Sequence, residues 1–131
     1  MATYTIDLET GDLTQFSSTV TDGGDLSASA LAAIEGSYGL RMLLDDATAI
    51  YGQKDWVAVP KTRMRVGFYL DPDSLIMASG DRFEIVTNTE GTFWIQLYYN
   101  GANYQVRAGV ATDAGTSNTA YVTITDAQHW V

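Results

Sequence analysis

The chain has 131 residues, no cysteine, sixteen acidic and seven basic side chains, and a formal net charge of −9. This length predicts one domain, residues 1–131, with a core that needs neither disulfides nor metal, and the lack of thiols excludes disulfide scaffolds, thiolate catalysis and Cys-ligated zinc. The acidic excess argues against nucleic acid as a partner, and no apolar run reaches the ~20 residues of a membrane-spanning helix.

The first half of the chain predicts short strands separated by turns. Strands are expected at residues 4–8, 39–44 and 47–51, with a turn at the Asp-Gly-Gly run between them. The alanine-rich stretch 27–35 predicts either a short helix or a strand that leads into a loop, because nine residues form only a marginal helix.

The second half alternates apolar and polar side chains with a period of two. In residues 62–70, one face carries the apolar set and the other the polar set: Met64, Val66, Phe68 and Leu70 against Arg63, Arg65 and Tyr69. Residues 92–110 predict an antiparallel hairpin, because two alternating runs flank Asn100-Gly101, a dipeptide that readily takes positive φ at a hairpin tip. Further strands are expected at 82–87 and 121–125, and His129 begins another apolar run.

Strands at this spacing, joined by Gly and Asp turns, indicate an all-β antiparallel two-sheet sandwich. Several stretches also resemble bacterial and phage concanavalin A-like (laminin-G-like) jelly-roll domains: IDLETGDLTQF, AAIEGSYGLRM, RVGFYLDPDSLIMASGDRFEI and ITDAQHWV. The resemblance runs through nearly the whole chain and implies a jelly roll. Its motifs mark turns and core positions, so it implies no particular chemistry.

The resemblance also implies that the sandwich lacks its last strands. Such domains usually continue past the His-containing strand with a further hairpin and closing strands, which are not in this sequence. We therefore expect open sheet edges that further chain, a second copy or another partner would cover. A compact variant of the fold is the alternative.

Enzymatic activity is not expected. The sequence has no Gly-x-Ser-x-Gly elbow and no His-x-x-x-His pair, and it lacks the Glu-x-Asp-x-x-Glu motif that the glucanases with concanavalin-like folds carry. Its single histidine, His129, stands beside Trp130, and we expect a packing or hydrogen-bonding role for it.

The resemblance points to one candidate cofactor, a structural calcium ion between the N-terminal segment and a late strand. Carboxylates that could supply the hard oxygen ligands are Asp7, Glu9 and Asp12 near the start, with Asp126 near the end. An acidic chain also forms such clusters by chance, and Asp12 could instead cap a turn.

The candidate ligand-binding residues alternate away from the predicted core. They are Trp94, Gln96 and Tyr98 with Gln105 and Arg107, joined by Arg65 and Tyr69 if the strand at 62–70 shares the sheet. Aromatic rings, amides and guanidinium groups suit saccharides, but the same residues could also form a layer of stabilising cross-strand pairs. Trp56 is open to either interpretation.

Two functions follow as hypotheses. The first is a carbohydrate-binding or adhesion module of an extracellular, cell-surface or virion protein, although the N-terminus has no signal-peptide pattern. The second is a structural subunit, such as a virion decoration or tail component or a filament protomer, that forms homo-oligomers or larger assemblies through its open edges.

Overall fold

The computed structural model describes residues 4–55 and 65–131. Its contacts divide the chain into two compact units, Met1–Arg65 and Val66–Val131. Within the described residues there are strands and short 3-10 turns but no α-helix, and every strand pair is antiparallel. The all-β antiparallel prediction is therefore confirmed, and the single-domain expectation stays a prediction.

The first unit contains two separate strand pairs. Strand β1 (Ser18–Val20) pairs with β4 (Tyr51–Gln53), and β2 (Leu26–Ser29) pairs with β3 (Gly39–Met42). Leu26 is its most deeply buried side chain.

The stretch 27–35 forms the strand-to-loop alternative. Its first residues belong to β2, and a single 3-10 turn, Ala30–Ala32, follows. Ser29 caps this turn, because its side chain accepts a hydrogen bond from the Leu31 N–H at 3.2 Å. Gly39 then passes so close to the Ala32 carbonyl that a Cβ there would overlap it, which fixes the return of the chain into β3.

Two predicted strands of this unit are wrong. Residues 4–8 are irregular, since the Asp7 N–H bonds to the Gln15 side chain and Leu8 begins a turn at φ 60°. In 47–51 only Tyr51 is in a strand, because the Asp46 carboxylate captures the Thr48 N–H at 2.6 Å. In both places side chains compete with a sheet ladder for backbone donors.

The second unit begins with β5 (Tyr69–Leu70), followed by β6 (Arg82–Thr87), β7 (Phe93–Tyr99) and β8 (Tyr104–Thr112). The remaining strands are β9 (Gly115–Asn118), β10 (Val122–Ile124) and β11 (His129–Trp130). Strands β6, β7 and β8 form a meander, and both β9 and β10 pair with the far side of β8. The predicted hairpin is confirmed, with Gly101 at φ 92° in its tip.

Strands β9 and β10 act as one strand with a bulge. The register runs from Asn118 opposite Gly109 to Val122 opposite Val106. Three residues, 119–121, therefore face the two residues 107–108, which is the count of a β-bulge. Strand β6 has a second register shift, between Glu84 and Val86. Both edges of the five-stranded sheet, β6 on one side and β9 with β10 on the other, thus carry an irregularity. Such irregularities hinder pairing with another chain at a sheet edge.

Of the strand predicted at 62–70, the structure describes residues 65–70, and only part of these residues forms a strand. Residues 62–64, which include Arg63 and Met64, lie outside the described residues, and only Tyr69–Leu70 is a strand. It pairs with β11, and Phe68 extends this pairing through two backbone hydrogen bonds to Val131. The prediction that His129 begins a strand is confirmed.

One side of the five-stranded sheet forms the core of this unit. Its buried members are Met77, Leu97, Val106 and Ile124, with partly buried apolar side chains around them. Tyr104 closes the edge of this core by donating from its hydroxyl to the Leu75 carbonyl at 2.6 Å.

We expect Leu97→Ala to lower the free energy of unfolding by about 2–5 kcal/mol, because it removes a side chain that is only 4% exposed and leaves a cavity. Urea denaturation followed by circular dichroism measures this. Leu31→Ala is the matched control, since Leu31 is 94% exposed and should change little. Equal losses for the two variants would contradict this core assignment.

Candidate functional site

The candidate site is the polar face, defined as the side of the five-stranded sheet that carries Trp94, Gln96 and Tyr98. Cross-strand pairing places Gly109, Arg107 and Gln105 of β8 opposite these three residues. Strand β6 adds Arg82 opposite Tyr98 and Glu84 opposite Gln96. Five of the seven predicted ligand-binding residues are therefore brought together: Trp94, Gln96, Tyr98, Gln105 and Arg107.

A hydrogen bond between neighbouring strands lies at the centre of the polar face. Arg107 donates from Nε to Oε1 of Gln96 at 3.1 Å. Gln96 is only 7% exposed, so its oxygen would be a costly unpaired acceptor without this donor. The pair fixes the orientation of the guanidinium group.

Tyr121 adds an aromatic layer over this pair. Its ring stacks on Tyr98 with centroids 4.7 Å apart and planes 28° apart, and the Arg107 Cζ lies 4.6 Å from its centroid. Tyr121 reaches this position from the bulge at residues 119–121. Stacking and cation–π contacts of this kind add to the stability of the sheet.

Trp94 lies across Gly109. A Cβ at position 109 would overlap the indole and also the Asn118 Oδ1, so only glycine leaves room for this packing. The indole Nε1 is buried and has no hydrogen-bond partner in the part of the chain that the structure describes. One side of the ring is thus held against the sheet.

The other predicted binding residues do not belong to this sheet. Tyr69 lies in the β5–β11 pair, where its ring makes an edge contact with Trp130 at 4.9 Å. Arg65 is exposed and lies outside the strands. The condition for these two side chains to join the sheet of Trp94 is not met, because Tyr69 lies in the β5–β11 pair and Arg65 in no described strand. Trp56 and Lys61 lie outside the described residues.

The candidate calcium ligands of the N-terminal segment accept hydrogen bonds from nearby groups. Asp7 accepts from the Gln15 side chain at 2.6 Å and from the Glu9 N–H, and the Glu9 carboxylate accepts from the Ser37 N–H at 2.9 Å. Asp12 accepts from Thr10 and Thr14, which fits the turn-capping alternative. These hydrogen bonds, led by those from Gln15 and Thr14, lower the pKa of Asp7 and of Asp12.

Asp126 has the same kind of role in the second unit. Its carboxylate accepts from the Ser74 N–H and hydroxyl, both at 2.7 Å, and these bonds lower its pKa. Among the described residues no group of three His, Cys, Asp or Glu side chains could hold a metal ion. The calcium site stays a prediction.

The pKa of another carboxyl group, Asp25, moves in the opposite direction. Desolvation raises the pKa of Asp25, and repulsion from Asp45, Asp22 and Asp46 adds to the shift. Sequence spacing gives no sign of this cluster, because the chain must turn back between residues 25 and 45 to form it.

The predicted hydrogen-bonding role of His129 is confirmed. Its Nε2 accepts from the Thr125 N–H at 3.1 Å and lies 3.0 Å from the Thr125 hydroxyl. The ring therefore braces the turn that joins β10 to β11.

Beside His129 the core side of the sheet is incompletely covered. We call this concavity the open pocket. Its volume is about 470 Å³, and its apolar lining includes Ile95, Val106, Val122, Ile124 and Trp130. Val122 and Trp130 at its rim are 63% and 67% exposed, so apolar surface meets solvent here.

Sequence reasoning missed several members of the polar face, among them Arg82, Glu84, Asn118 and Tyr121. Alternation alone predicts that Arg82 and Glu84 share a face, and that Tyr121 and Thr123 do, but it does not predict the register shift after Glu84. The missing step was the order of the strands, which a meander from β6 to β10 would have supplied.

A comparison of the chain with protein-family models, curated protein sequences and solved structures found no match. In the part of the chain that the structure describes, no helix has the length and apolar character needed to cross a membrane.

We expect Asp126→Asn to destabilise the protein more at pH 7 than at pH 3. The folded state lowers the pKa of Asp126 below its ordinary value of 3.8, so its stabilising effect is present above about pH 4 and is lost as pH falls through the folded-state pKa. Urea denaturation at both pH values measures the difference. Asp113→Asn is the control, because the Asp113 carboxylate accepts no hydrogen bond from the described residues; a pH-independent effect of Asp126→Asn would contradict the assignment.

Proposed function

We propose that this chain is a non-catalytic carbohydrate-binding and adhesion module that binds saccharides on the polar face. The observation that carries the proposal is the fixed layer of Trp94, Tyr98, Tyr121 and Arg107 on one side of a sheet. A saccharide ring presents C–H groups that pack on an aromatic face, and hydroxyl groups that need planar donors and acceptors. Both kinds of protein group are close together on this face.

Trp94 is the stacking residue in this proposal. The indole lies against Gly109, which holds the ring in place, and Trp94 is only half-buried, so part of it stays accessible to a ligand. Tyr98 and Tyr121 stack on each other, so in this proposal they support the aromatic layer and do not bind the sugar ring directly. A ring that is held before binding loses little conformational entropy when the ligand arrives.

Amide and guanidinium groups would bind the hydroxyls. Gln105 donates from Nε2 to the Thr123 hydroxyl at 3.2 Å, which leaves its carbonyl oxygen as an acceptor. Arg107 keeps its terminal nitrogens as donors, because its bond to Gln96 uses only Nε.

The proposal includes the jelly-roll fold of the concanavalin A-like kind and a location on a cell surface, a virion or outside the cell. The antiparallel meander with an apolar and a polar side supports the fold. The four stretches that resemble concanavalin A-like domains support membership of that family.

We expect Trp94→Ala to weaken the binding of any saccharide found on an array of immobilised oligosaccharides by about 10-fold, because the stacking surface is removed. Circular dichroism checks that the variant is folded. Trp130→Ala is the matched control, since Trp130 lies in the β5–β11 pair and should leave saccharide binding unchanged. Equal binding by wild type and Trp94→Ala, or no saccharide bound at all, would refute the proposal.

A second function, assembly with other copies, is favoured by the open pocket. Its rim residues Val122 and Trp130 expose apolar area that association would remove from water. Among the described residues β10 and β11 each pair with another strand on one side, so a neighbouring copy could pair with them as well as pack against the pocket.

We expect Trp130→Ala to shift the protein towards monomer if assembly is the function, and Trp94→Ala to leave the assembly state unchanged. Size-exclusion chromatography with light scattering over a range of concentrations measures both. A wild-type monomer at all concentrations would count against assembly. The same two variants therefore separate the two functions.

A further inference from the structure

Arg107 is held in a fixed orientation by two contacts. Its Nε donates to Gln96 at 3.1 Å, and its Cζ lies 4.6 Å from the centre of the Tyr121 ring. Because Gln96 is buried and Tyr121 is braced by Tyr98, neither contact is a loose surface pairing. The guanidinium group is therefore oriented before any ligand binds.

The terminal nitrogens of this group are left without a partner. Within residues 4–55 and 65–131, Arg107 makes no ion pair, and Nε is its only nitrogen with a side-chain hydrogen bond. Guanidinium has five N–H donors, so four stay available. What distinguishes Arg107 from an exposed arginine is that its Nε and its planar face are both held while its terminal nitrogens are not.

The nearest acidic residue in the same cross-strand row is Glu84. Glu84 lies opposite Gln96 on β6, so its strand is separated from that of Arg107 by β7. Two strand spacings put about 10 Å between the two backbones. Gln96 therefore stands between Glu84 and Arg107, and the Glu84 carboxylate forms no ion pair with the guanidinium group.

The polar face also differs in charge from the whole chain. Arg82 and Arg107 give it two positive charges against one negative charge, from Glu84. The chain as a whole has a net charge of −9. An anionic ligand would be repelled by most of the protein and attracted to this face.

From these observations we propose that the polar face is selective for saccharides that carry a carboxylate, such as uronic acids, and that Arg107 binds that carboxylate. The planar fork of a guanidinium group matches a carboxylate through two parallel hydrogen bonds. A uronic acid joins this group to a ring that can stack on Trp94, so a single sugar residue matches both features. This inference rests on the carbohydrate binding proposed above.

The test compares oligosaccharides that differ only in charge. Wild-type protein is titrated by calorimetry with oligogalacturonate, oligoglucuronate and oligomannuronate, and with the methyl ester of each. We expect at least one acid to bind about 10- to 100-fold more tightly than its ester, since hydrogen bonds to charged groups are the stronger kind. Arg107→Gln should remove this preference while binding to the ester persists, which also reports that the variant is folded.

Two further variants separate the fork from the charge alone. Arg107→Lys keeps the charge but not the planar fork, and should lose most of the preference. Arg82→Gln is the matched control, since it removes one charge from the same face and should change the preference by no more than about threefold, through weakened long-range attraction.

Each outcome has a distinct meaning. Equal binding of every acid and its ester would overturn the carboxylate inference and leave saccharide binding intact. A preference that survives in Arg107→Gln would also overturn it. Tighter binding of a sulfated oligosaccharide than of the acids would replace it with a general anion site. If neither the acids nor the esters bind, the carboxylate inference is refuted, and the proposed function falls with it only if the oligosaccharide array also shows no bound saccharide.

Discussion

The second unit depends on the antiparallel pairing of β7 with β8. Seven consecutive residue pairs join these strands, from Phe93 opposite Val110 to Tyr99 opposite Tyr104. Because side chains alternate along a strand, this one register puts Leu97 and Val106 on the core side and Gln96 and Arg107 on the other. A slip of one residue would exchange the two sides, so burial of the apolar set also fixes the composition of the polar face.

The polar face is itself more than a solvated surface. Gln96 is buried there, and the layer of Arg107 and two tyrosines covers it. The two interpretations of this face, a stabilising layer and a ligand platform, therefore need not compete. Contacts that hold Arg107 and Trp94 in place are the same contacts that would prepare them for a ligand.

How much the sequence predicted depends on how local each feature is. The hairpin at Asn100-Gly101 and strand Arg82–Thr87 follow from alternation and turn residues a few positions apart, and both were predicted well. Residues 4–8 and 47–51 alternate in a similar way, but the side chains of Gln15 and Asp46 capture their backbone donors. The contact between Tyr98 and Tyr121 reaches across β8 and requires the bulge at residues 119–121. No local sequence pattern predicts that bulge. The separation of Tyr69 from the sheet that contains Trp94 likewise depends on the pairing of β5 with β11.

The bulge at residues 119–121 has a consequence for how this strand can vary. Before it, the even-numbered Asn118 lies on the polar side, and after it the odd-numbered Tyr121 and Thr123 do. The extra residue thus reverses the inside-outside phase of the strand in its middle. Removal of a single residue there would leave two residues facing residues 107–108, so Val122 would still lie opposite Val106 on the core side and the strand would run on without a bulge. A protein with this sheet could therefore lose the extra residue and keep both sides of the sheet, but it would then present a longer regular edge to which another chain could pair.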